Sequence, residues 1–182
     1  TVNTNWSWSD RSELINHSDY KLVNRVSIED YSPNKPSNNE LPDTGFEDHQ
    51  AFVGSVSVSA KPWLKYRIRN GFKYAISSSS PTLTLSYTKG FDGLLSSDVD
   101  FDQIEFGVKH EVKAGARGTI DFDLRAGTFL NTNKIYFMDF KHFLGNRTPF
   151  VTSDPVGSFR LMDYYALSTS EKYFVANVHY QF

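Results

Sequence analysis

Apolar and polar side chains alternate with a period of two residues along most of this chain. The opening segment carries Val2, Thr4, Trp6 and Trp8 on one parity and Asn3, Asn5, Ser7 and Ser9 on the other. Neighbouring side chains of a β-strand point to opposite faces, so this period indicates strands with one apolar and one polar face. No segment has a convincing helical spacing of apolar residues. The alternation therefore predicts an all-β fold.

Seven further segments carry the same signal, some of them in a weaker form. They span residues 20–30, 51–60, 63–77, 82–90, 103–112, 120–130 and 172–182. Prolines and a glycine make 31–50 a long connection, 134–170 is long and aperiodic, and a tight turn is expected near Ala114-Gly115. We predict a single domain over 1–182 with about eight antiparallel strands, joined up-and-down by short turns at one end and long loops at the other.

The composition removes several classes of protein. The chain has 182 residues, a net charge of −2 and no cysteine, so it has no basic field for nucleic acid and no disulfide or thiolate metal site. No stretch approaches the roughly 20 consecutive apolar residues of a membrane-spanning helix. Aromatic residues make up 15% of the chain beside a mean hydropathy of −0.45, a combination that two-faced strands produce.

The medium that touches the apolar faces is the main question raised by this pattern. Charged residues lie in mid-strand on the polar parity, namely Glu105, Lys109, Glu111, Asp121, Asp123 and Arg125. Several segments reach the roughly 10 residues that cross a bilayer at a tilt of about 45°, and aromatic residues collect near segment ends, as in a membrane-interface girdle. These features favour an antiparallel transmembrane β-barrel. A soluble β-sandwich or barrel serving as a binding module has the same period and remains the alternative.

The barrel hypothesis assigns each parity to one side of the wall. It places toward lipid Trp6, Trp8, Phe52, Val56, Leu83, Leu85, Ile104, Phe106, Ile120, Phe122, Leu124, Phe174, Val178 and Tyr180. The charged set would line the lumen. In such a protein, function resides in the lumen, the loops and the lateral seam, and outer-membrane lipid is the surrounding partner.

Three stretches resemble a known family. They are SYTKGFDGLLSSDVDFDQIEFGV at 86–108, RAGTFLN at 125–131 and HFLGNRTPFVTSDPVGSFRLMDYYALSTSEKYFVANVHYQF at 142–182. Together they resemble the outer-membrane barrels of unassigned function in Gram-negative bacteria that carry an N-terminal carboxypeptidase-regulatory-like domain. The resemblance implies a protein of the bacterial outer membrane, and the lack of a catalytic motif leads us to expect a non-enzymatic one. Family members are several times longer, which implies that this chain is part of a larger barrel, with further strands or periplasmic domains of a longer chain as partners. Closure of the eight strands on themselves is the alternative.

That family is distantly similar to the surface-antigen superfamily of BamA-type assembly and translocation barrels. In those barrels a long loop folds back into the lumen and places a V/I-R-G-F/Y tetrapeptide against acidic residues of the inner wall. Ser158-Phe159-Arg160-Leu161 occupies the corresponding place here, with the arginine matched and a leucine where glycine is expected. The resemblance therefore implies an inward Arg160 paired with a carboxylate. Glu105, Asp121 and Asp123 have the inward-facing parity.

Other site chemistry has little support in the sequence. The five histidines lie without metal-ligand spacing, and Asp98, Asp100 and Asp102 alternate along an extended segment without the glycine and glutamate of an EF-hand. No G-x-S-x-G motif occurs. A barrel enzyme acting on lipid is a third hypothesis, which requires a serine, a histidine and an acid at one rim. We expect neither a cofactor nor a resident metal.

Overall fold

The structure, a computed structural model, describes residues 1–13, 36, 38–76, 80–115, 117–146 and 157–182. Its strands are β1 (Val2–Arg11), β2 (His49–Ala60), β3 (Lys65–Arg69), β4 (Phe72–Ile76), β5 (Thr82–Gly90), β6 (Asp100–Ala114), β7 (Gly118–Lys134), β8 (Gly145–Asn146), β9 (Phe159–Arg160) and β10 (Lys172–Gln181). Two 3-10 turns, Leu94–Ser96 and Phe137–Asp139, lie in the connections. These residues include no α-helix, and none of their helices is long and apolar enough to cross a membrane. The all-β prediction is confirmed.

Six of the strands form one antiparallel sheet. Their order across the sheet is β1-β2-β5-β6-β7-β10, so successive long strands of the chain are neighbours. The up-and-down antiparallel order is as predicted, but the sheet has six strands rather than about eight. Among the described residues, the outer edges of β1 and β10 have no ladder partner, so the sheet is open and no closed barrel forms. The predicted strand over 20–30 lies outside the residues that the structure describes.

One predicted strand is in fact a hairpin. The sequence pattern predicts a single strand over 63–77, whereas the structure pairs β3 with β4 as a separate two-stranded sheet. Asn70 and Gly71 form the turn between them, with backbone φ angles of 52° and 78°. A type I′ turn requires positive φ at both positions, and Asn-Gly is one of its preferred dipeptides. The prediction was wrong because it gave this turn signal no weight.

The two ends of the six-stranded sheet differ. The turn end holds Thr1, Phe182, the β3–β4 hairpin and the predicted tight turn, in which Gly115 has a φ of 73°. Backbone hydrogen bonds of 2.7 and 2.8 Å fix Thr1 to Ser59 at this end. At the loop end lie the described parts of the connections that join β1 to β2, β5 to β6 and β7 to β10. The predicted contrast between the ends is therefore present, with the hairpin as an addition at the turn end.

The pairing register gives the six-stranded sheet one apolar and one polar face. Cross-strand partners such as Leu85 and Phe106 share the apolar face, whereas their neighbours Ser86 and Glu105 share the polar face. Every residue that the sequence pattern assigns toward lipid lies on the apolar face. The prediction that these side chains share one surface is confirmed.

The strands are staggered across the sheet. When the register is followed from strand to strand, the row that contains Thr4 of β1 also contains Lys172 of β10. From this row β1 continues to Arg11 toward the loop end, whereas β10 continues to Gln181 toward the turn end. With about 3.3 Å per residue and about 4.8 Å between strands, the offset of about seven residues over five strand spacings gives a tilt of about 44°. Strands in barrels are tilted by similar angles.

The fully buried side chains lie at the loop end, on the polar side of the sheet. Ala51, Val99 and Phe101 form this core, and Phe129 and Tyr136 pack against it. The connections after β5 and β7 cover the sheet here. The polar face is thus closed at the loop end by its own connections, while large side chains across the apolar face are exposed.

Candidate functional site on the polar face

A hydrogen-bonded group of side chains crosses three strands on the polar face. Tyr173 of β10 donates its hydroxyl hydrogen to Glu105 Oε2 of β6 at 2.6 Å, and the side-chain amide of Gln103 donates to the tyrosine oxygen at 3.1 Å. β7 lies between β6 and β10, and its Gly127 lies under the tyrosine ring. A Cβ at position 127 would be 2.3 Å from Cζ and the hydroxyl oxygen of Tyr173. Glycine therefore allows Tyr173 to lie across β7 and reach Glu105.

The connection between β7 and β10 folds back onto this group. Lys141 forms an ion pair with Glu105, and its ammonium group lies 5.4 Å from the ring centroid of Tyr173. Phe143 packs edge-on against the same ring, with 5.6 Å between centroids. Backbone hydrogen bonds of 2.9 and 3.2 Å with Thr169 hold Lys141 in place. Side chains from the loop and from the sheet thus meet at Glu105.

A second charged pair lies closer to the turn end. Arg125 donates two hydrogen bonds to the buried carboxylate of Asp123, at 3.0 Å from Nε and 2.6 Å from Nη2. This bidentate geometry fixes both side chains. A concavity of about 280 Å³ opens beside the pair, with Lys109 and Gly107 in its lining. The polar face therefore carries fixed charges of both signs along a surface that solvent can enter.

The three carboxylates of the predicted site all lie on the polar face. Glu105 and Asp123 both have cationic partners, but these are Lys141 and Arg125. Asp121 lies nearer the turn end, in the lining of a second concavity of about 310 Å³. The parity of the three acids was enough to place them on one surface. It did not identify which cations they would meet.

Arg160 lies in β9, which pairs in parallel with β8, and its side chain is exposed. In the part of the chain that the structure describes, no ion pair joins Arg160 to the three carboxylates. The contact implied for Arg160 stays a prediction. Arg125 could have been found as a partner from the sequence, because it is two residues from Asp123 on the same parity. Lys141 could not, because it lies in the aperiodic region where no pattern shows which side chains face the sheet.

The comparison with protein families finds a model that covers the whole chain. A family model described as the C-terminal domain of a family of unknown function (DUF5686) matches residues 1–182. The chain belongs to this family. No curated protein and no solved structure matches the chain. The description of the DUF5686 domain gives no activity.

The alternating acids of the DUF5686 domain are tied to partners of their own. Asp98 accepts hydrogen bonds from the backbone N–H of Gln50 and from Lys134. Asp100 accepts from Asn131 and Asn133, and Asp102 accepts from Tyr87 and Lys89. The Gln50 N–H group, together with Lys134, holds the pKa of Asp98 below its ordinary value. The described residues contain no group of three or more His, Asp or Glu side chains that could hold a metal ion. These acids stabilise the loop end.

One serine and one histidine of the DUF5686 domain meet at the loop end. His142 Nδ1 and Ser168 Oγ are 2.8 Å apart, and Asp139 is close enough to act on the imidazole. Burial lowers the pKa of His142 in spite of this acid. However, Ser168 is only 2% exposed, and Arg11 engages the Asp139 carboxylate at 2.8 Å. A hydroxyl group enclosed in this way has no room for a substrate carbonyl, so the pair has the geometry of a structural contact.

Proposed function

We propose that this domain forms part of the wall of an integral β-barrel in the bacterial outer membrane, with a non-enzymatic role related to that of assembly and translocation barrels. The observation that carries the proposal is the exposed apolar face. Its side chains include Trp6 at 57%, Leu85 at 48%, Phe106 at 46%, Phe174 at 70% and Val178 at 69% exposure. They occupy one continuous face of six paired strands.

Water and lipid treat such a face differently. Monomeric soluble proteins rarely expose contiguous apolar patches larger than a few hundred Å², and each large apolar side chain left in water forgoes about 1.5–3 kcal/mol. In hydrocarbon these side chains are in their preferred solvent. A soluble β-sandwich needs a second layer over the face, and nothing in the described ranges supplies one. The exposed face therefore favours lipid as the surrounding medium.

The lengths and the tilt of the strands support the same proposal. The six strands have between 9 and 17 residues, and a strand of roughly 9–11 residues tilted by about 45° spans a bilayer. The stagger of the sheet corresponds to such a tilt. Outer-membrane barrels have short turns on the periplasmic side and longer loops outside. By this rule, the turn end faces the periplasm and the loop end faces the exterior.

The outer edges of β1 and β10, which no described residue pairs, determine what else the barrel requires. An unpaired strand edge in hydrocarbon leaves N–H and C=O groups without partners, and each such group costs several kcal/mol. We therefore infer that further strands of a longer chain pair with β1 and β10, with outer-membrane lipid outside and periplasmic domains beyond the barrel. The family description, which names a C-terminal domain, is in keeping with a longer chain. The contact between Lys141 and Glu105 supports a loop that folds toward a lumen.

The test compares folding with and without detergent. The chain is refolded in micelles and in plain buffer, and its mobility on an SDS gel is measured before and after boiling. A compact band that boiling abolishes, seen only after refolding in detergent, supports the membrane barrel. A monodisperse folded protein in buffer would place the apolar face in a protein core and favour the soluble binding module. If neither condition gives a folded protein, the test is repeated on the full-length protein, where an outer-membrane barrel must give the heat-sensitive band.

A further inference from the structure

The segment that contains the β3–β4 hairpin differs in charge from the rest of the chain. Residues 61–76 hold five of the 19 Lys and Arg residues and none of the 21 Asp and Glu residues. The remainder therefore has 14 cations against 21 acids, a net charge of −7. The cations are Lys61, Lys65, Arg67, Arg69 and Lys73, and they are interleaved with Trp63, Tyr66, Phe72 and Tyr74. The segment is at once strongly basic and strongly aromatic.

The hairpin presents both kinds of side chain to its surroundings. Every residue of β3 and all but the last residue of β4 are exposed. Arg67 pairs with Tyr74 across the two strands, so cation and ring share one side of the hairpin. On the other side, the ammonium group of Lys73 lies 4.3 Å from the ring centroid of Tyr66. Among the described residues, no other strand pairs with the hairpin.

The position of the hairpin relates it to the apolar face. Its segment leaves β2 after Ala60 and returns to β5 at Thr82, and these two strands are neighbours in the six-stranded sheet. The apolar faces of β2 and β5 would be in lipid if the proposed function is right. The base of the hairpin would then lie where the hydrocarbon ends, at the turn end.

We propose that the β3–β4 hairpin binds the anionic phospholipid headgroups of the leaflet at the turn end. This inference rests on the proposed function, because the lipid contact of β2 and β5 is what brings the hairpin to the membrane surface. Basic segments are attracted to anionic leaflets, and Trp and Tyr rings are enriched at headgroup level. An acidic protein would match the cations but would have to cover Trp63, Ile68 and Phe72 as well. The headgroup region accepts both kinds of side chain, and binding there would fix the depth and orientation of the barrel.

The three tryptophans of the chain allow the hairpin and the apolar face to be observed separately. A variant with Trp6→Phe and Trp8→Phe reports from the hairpin through Trp63, whereas Trp63→Phe reports from the apolar face. Both are refolded into vesicles of phosphatidylcholine alone and into vesicles that also contain phosphatidylglycerol. We expect the anionic lipid to shift Trp63 emission to shorter wavelength and to lower its quenching by aqueous acrylamide roughly twofold or more, with high salt reversing both effects.

Matched variants separate the hairpin from net charge. Arg67→Gln with Arg69→Gln removes two of the five cations and should clearly weaken the response of Trp63 to phosphatidylglycerol. Lys113→Gln with Arg117→Gln removes the same charge from the β6–β7 region at the same end of the sheet, and it should leave the response intact. Equal effects of the two pairs would mean a general charge effect and would overturn the inference.

The apolar-face reporter keeps failure of the inference distinct from failure of the proposed function. Brominated acyl chains should quench Trp6 and Trp8 in both kinds of vesicle. If they do not, the proposed function fails and the inference fails with it. If they do, but Trp63 is equally accessible to acrylamide in both vesicles, only the inference is overturned, and an acidic protein becomes the better occupant of the hairpin.

Discussion

The hydroxyl group of Tyr173 lies 2.6 Å from the carboxylate of Glu105, although the whole width of β7 separates their strands. The contact is possible because Gly127 has no side chain, so the ring of Tyr173 can lie across β7. Two residues of the loop contact this pair: Lys141 forms an ion pair with Glu105, and Phe143 packs against the ring of Tyr173. The junction between the sheet and its longest described connection therefore depends on one missing side chain.

The change Gly127→Ala should disrupt this junction. The new Cβ would overlap the ring of Tyr173, so the tyrosine must move and its hydrogen bond to Glu105 must break. We expect the free energy of unfolding to fall by about 1–3 kcal/mol, the range for a lost buried hydrogen bond with local strain. The measurement is the urea midpoint of the detergent-refolded protein.

Gly107→Ala is the matched control for this prediction. Gly107 lies on the neighbouring strand and on the same face, but its nearest contact for a Cβ is at an ordinary 3.8 Å, to Cγ of Arg125. We expect a change in unfolding free energy of no more than about 0.5 kcal/mol. Similar midpoints for the two alanine variants would show that the space over Gly127 is not required.

The same arrangement recurs at both edges of the sheet. Trp6 of β1 lies over Gly54 of β2, and Tyr180 of β10 lies over Gly118 of β7, with 2.5 Å between the nearest ring or hydroxyl atom and the position of a Cβ. Aromatic rings that cover glycines of a neighbouring strand stabilise sheets that contain such glycines. Each edge strand of this sheet is thus anchored to its inner neighbour by at least one such contact.

Lys141 should hold the connection between β7 and β10 against the sheet. Replacing it with methionine keeps most of the stem but leaves the half-buried Glu105 carboxylate without its cation. We expect a loss of about 1 kcal/mol in the closure of the loop, which corresponds to roughly fivefold faster cleavage of 135–171 by proteinase K. The readout is the rate of cleavage in detergent, with the sheet monitored by its heat-sensitive gel band.

Arg160→Met is the companion variant, because the sequence resemblance implies that Arg160 is the cation that fixes this loop. In the structure its side chain is exposed, so we expect a smaller increase in cleavage than for Lys141→Met. Faster cleavage with Arg160→Met than with Lys141→Met would favour the role implied by the resemblance. Unchanged cleavage with both variants would exclude either cation as the anchor.

The sequence predicts those parts of the structure that depend on residues close together in the chain, such as the face to which each strand residue points. The alternation through Leu85 and Ser86 continues along each strand, so it assigns faces correctly even where it does not give the register. The Asn70-Gly71 turn was equally predictable from local sequence, but the apolar pattern of 63–77 favoured a single strand instead. By contrast, the contact between Lys141 and Glu105 joins an aperiodic loop to a distant strand. Only the folded chain brings these two residues together.

His142 should make the loop end sensitive to pH. Burial lowers the pKa of His142 in the folded protein. As the pH falls below about 6.5, His142 therefore takes up a proton less readily in the folded protein than in the unfolded chain. Stability contributed by the neutral imidazole is therefore fully present above that pH and is lost as the pH falls from there through the lowered pKa of the folded state. We expect hydrogen exchange around Ser168, or proteolytic cleavage of 135–171, to become faster as the pH is lowered from 8 to 5. The comparison corrects for the pH dependence of intrinsic amide exchange and of the protease itself.

Two histidine variants test the assignment of this pH dependence. His142→Gln removes the titrating group, so the change in loop protection with pH should become smaller. His110→Gln should leave it unchanged, because His110 lies on the other face of the sheet against Phe122. A pH dependence that persists in His142→Gln would assign the effect to another group.

Leu85 and Ser86 are adjacent residues of β5 that point to opposite faces, and lysine at either position distinguishes lipid from water. Leu85 is 48% exposed, so in a soluble protein Leu85→Lys should be tolerated well. In a membrane the same lysine meets hydrocarbon, which costs about 2–4 kcal/mol near the midplane of the bilayer. Ser86→Lys places its charge on the polar face, directly opposite Glu105 of β6. Lipid therefore predicts that Leu85→Lys is much less stable than Ser86→Lys, whereas water predicts similar stabilities for the two variants.

The comparison uses urea midpoints and refolding yields of both variants in vesicles. For a membrane barrel, Leu85→Lys should lower the yield and the midpoint, while Ser86→Lys should remain close to the original protein. Similar midpoints and yields for the two variants would mean that water, rather than lipid, covers the apolar face. Because the two substitutions introduce the same side chain at neighbouring positions, strand propensity and net charge contribute almost equally to both. The difference between their midpoints therefore reports whether lipid or water contacts the apolar face of β5.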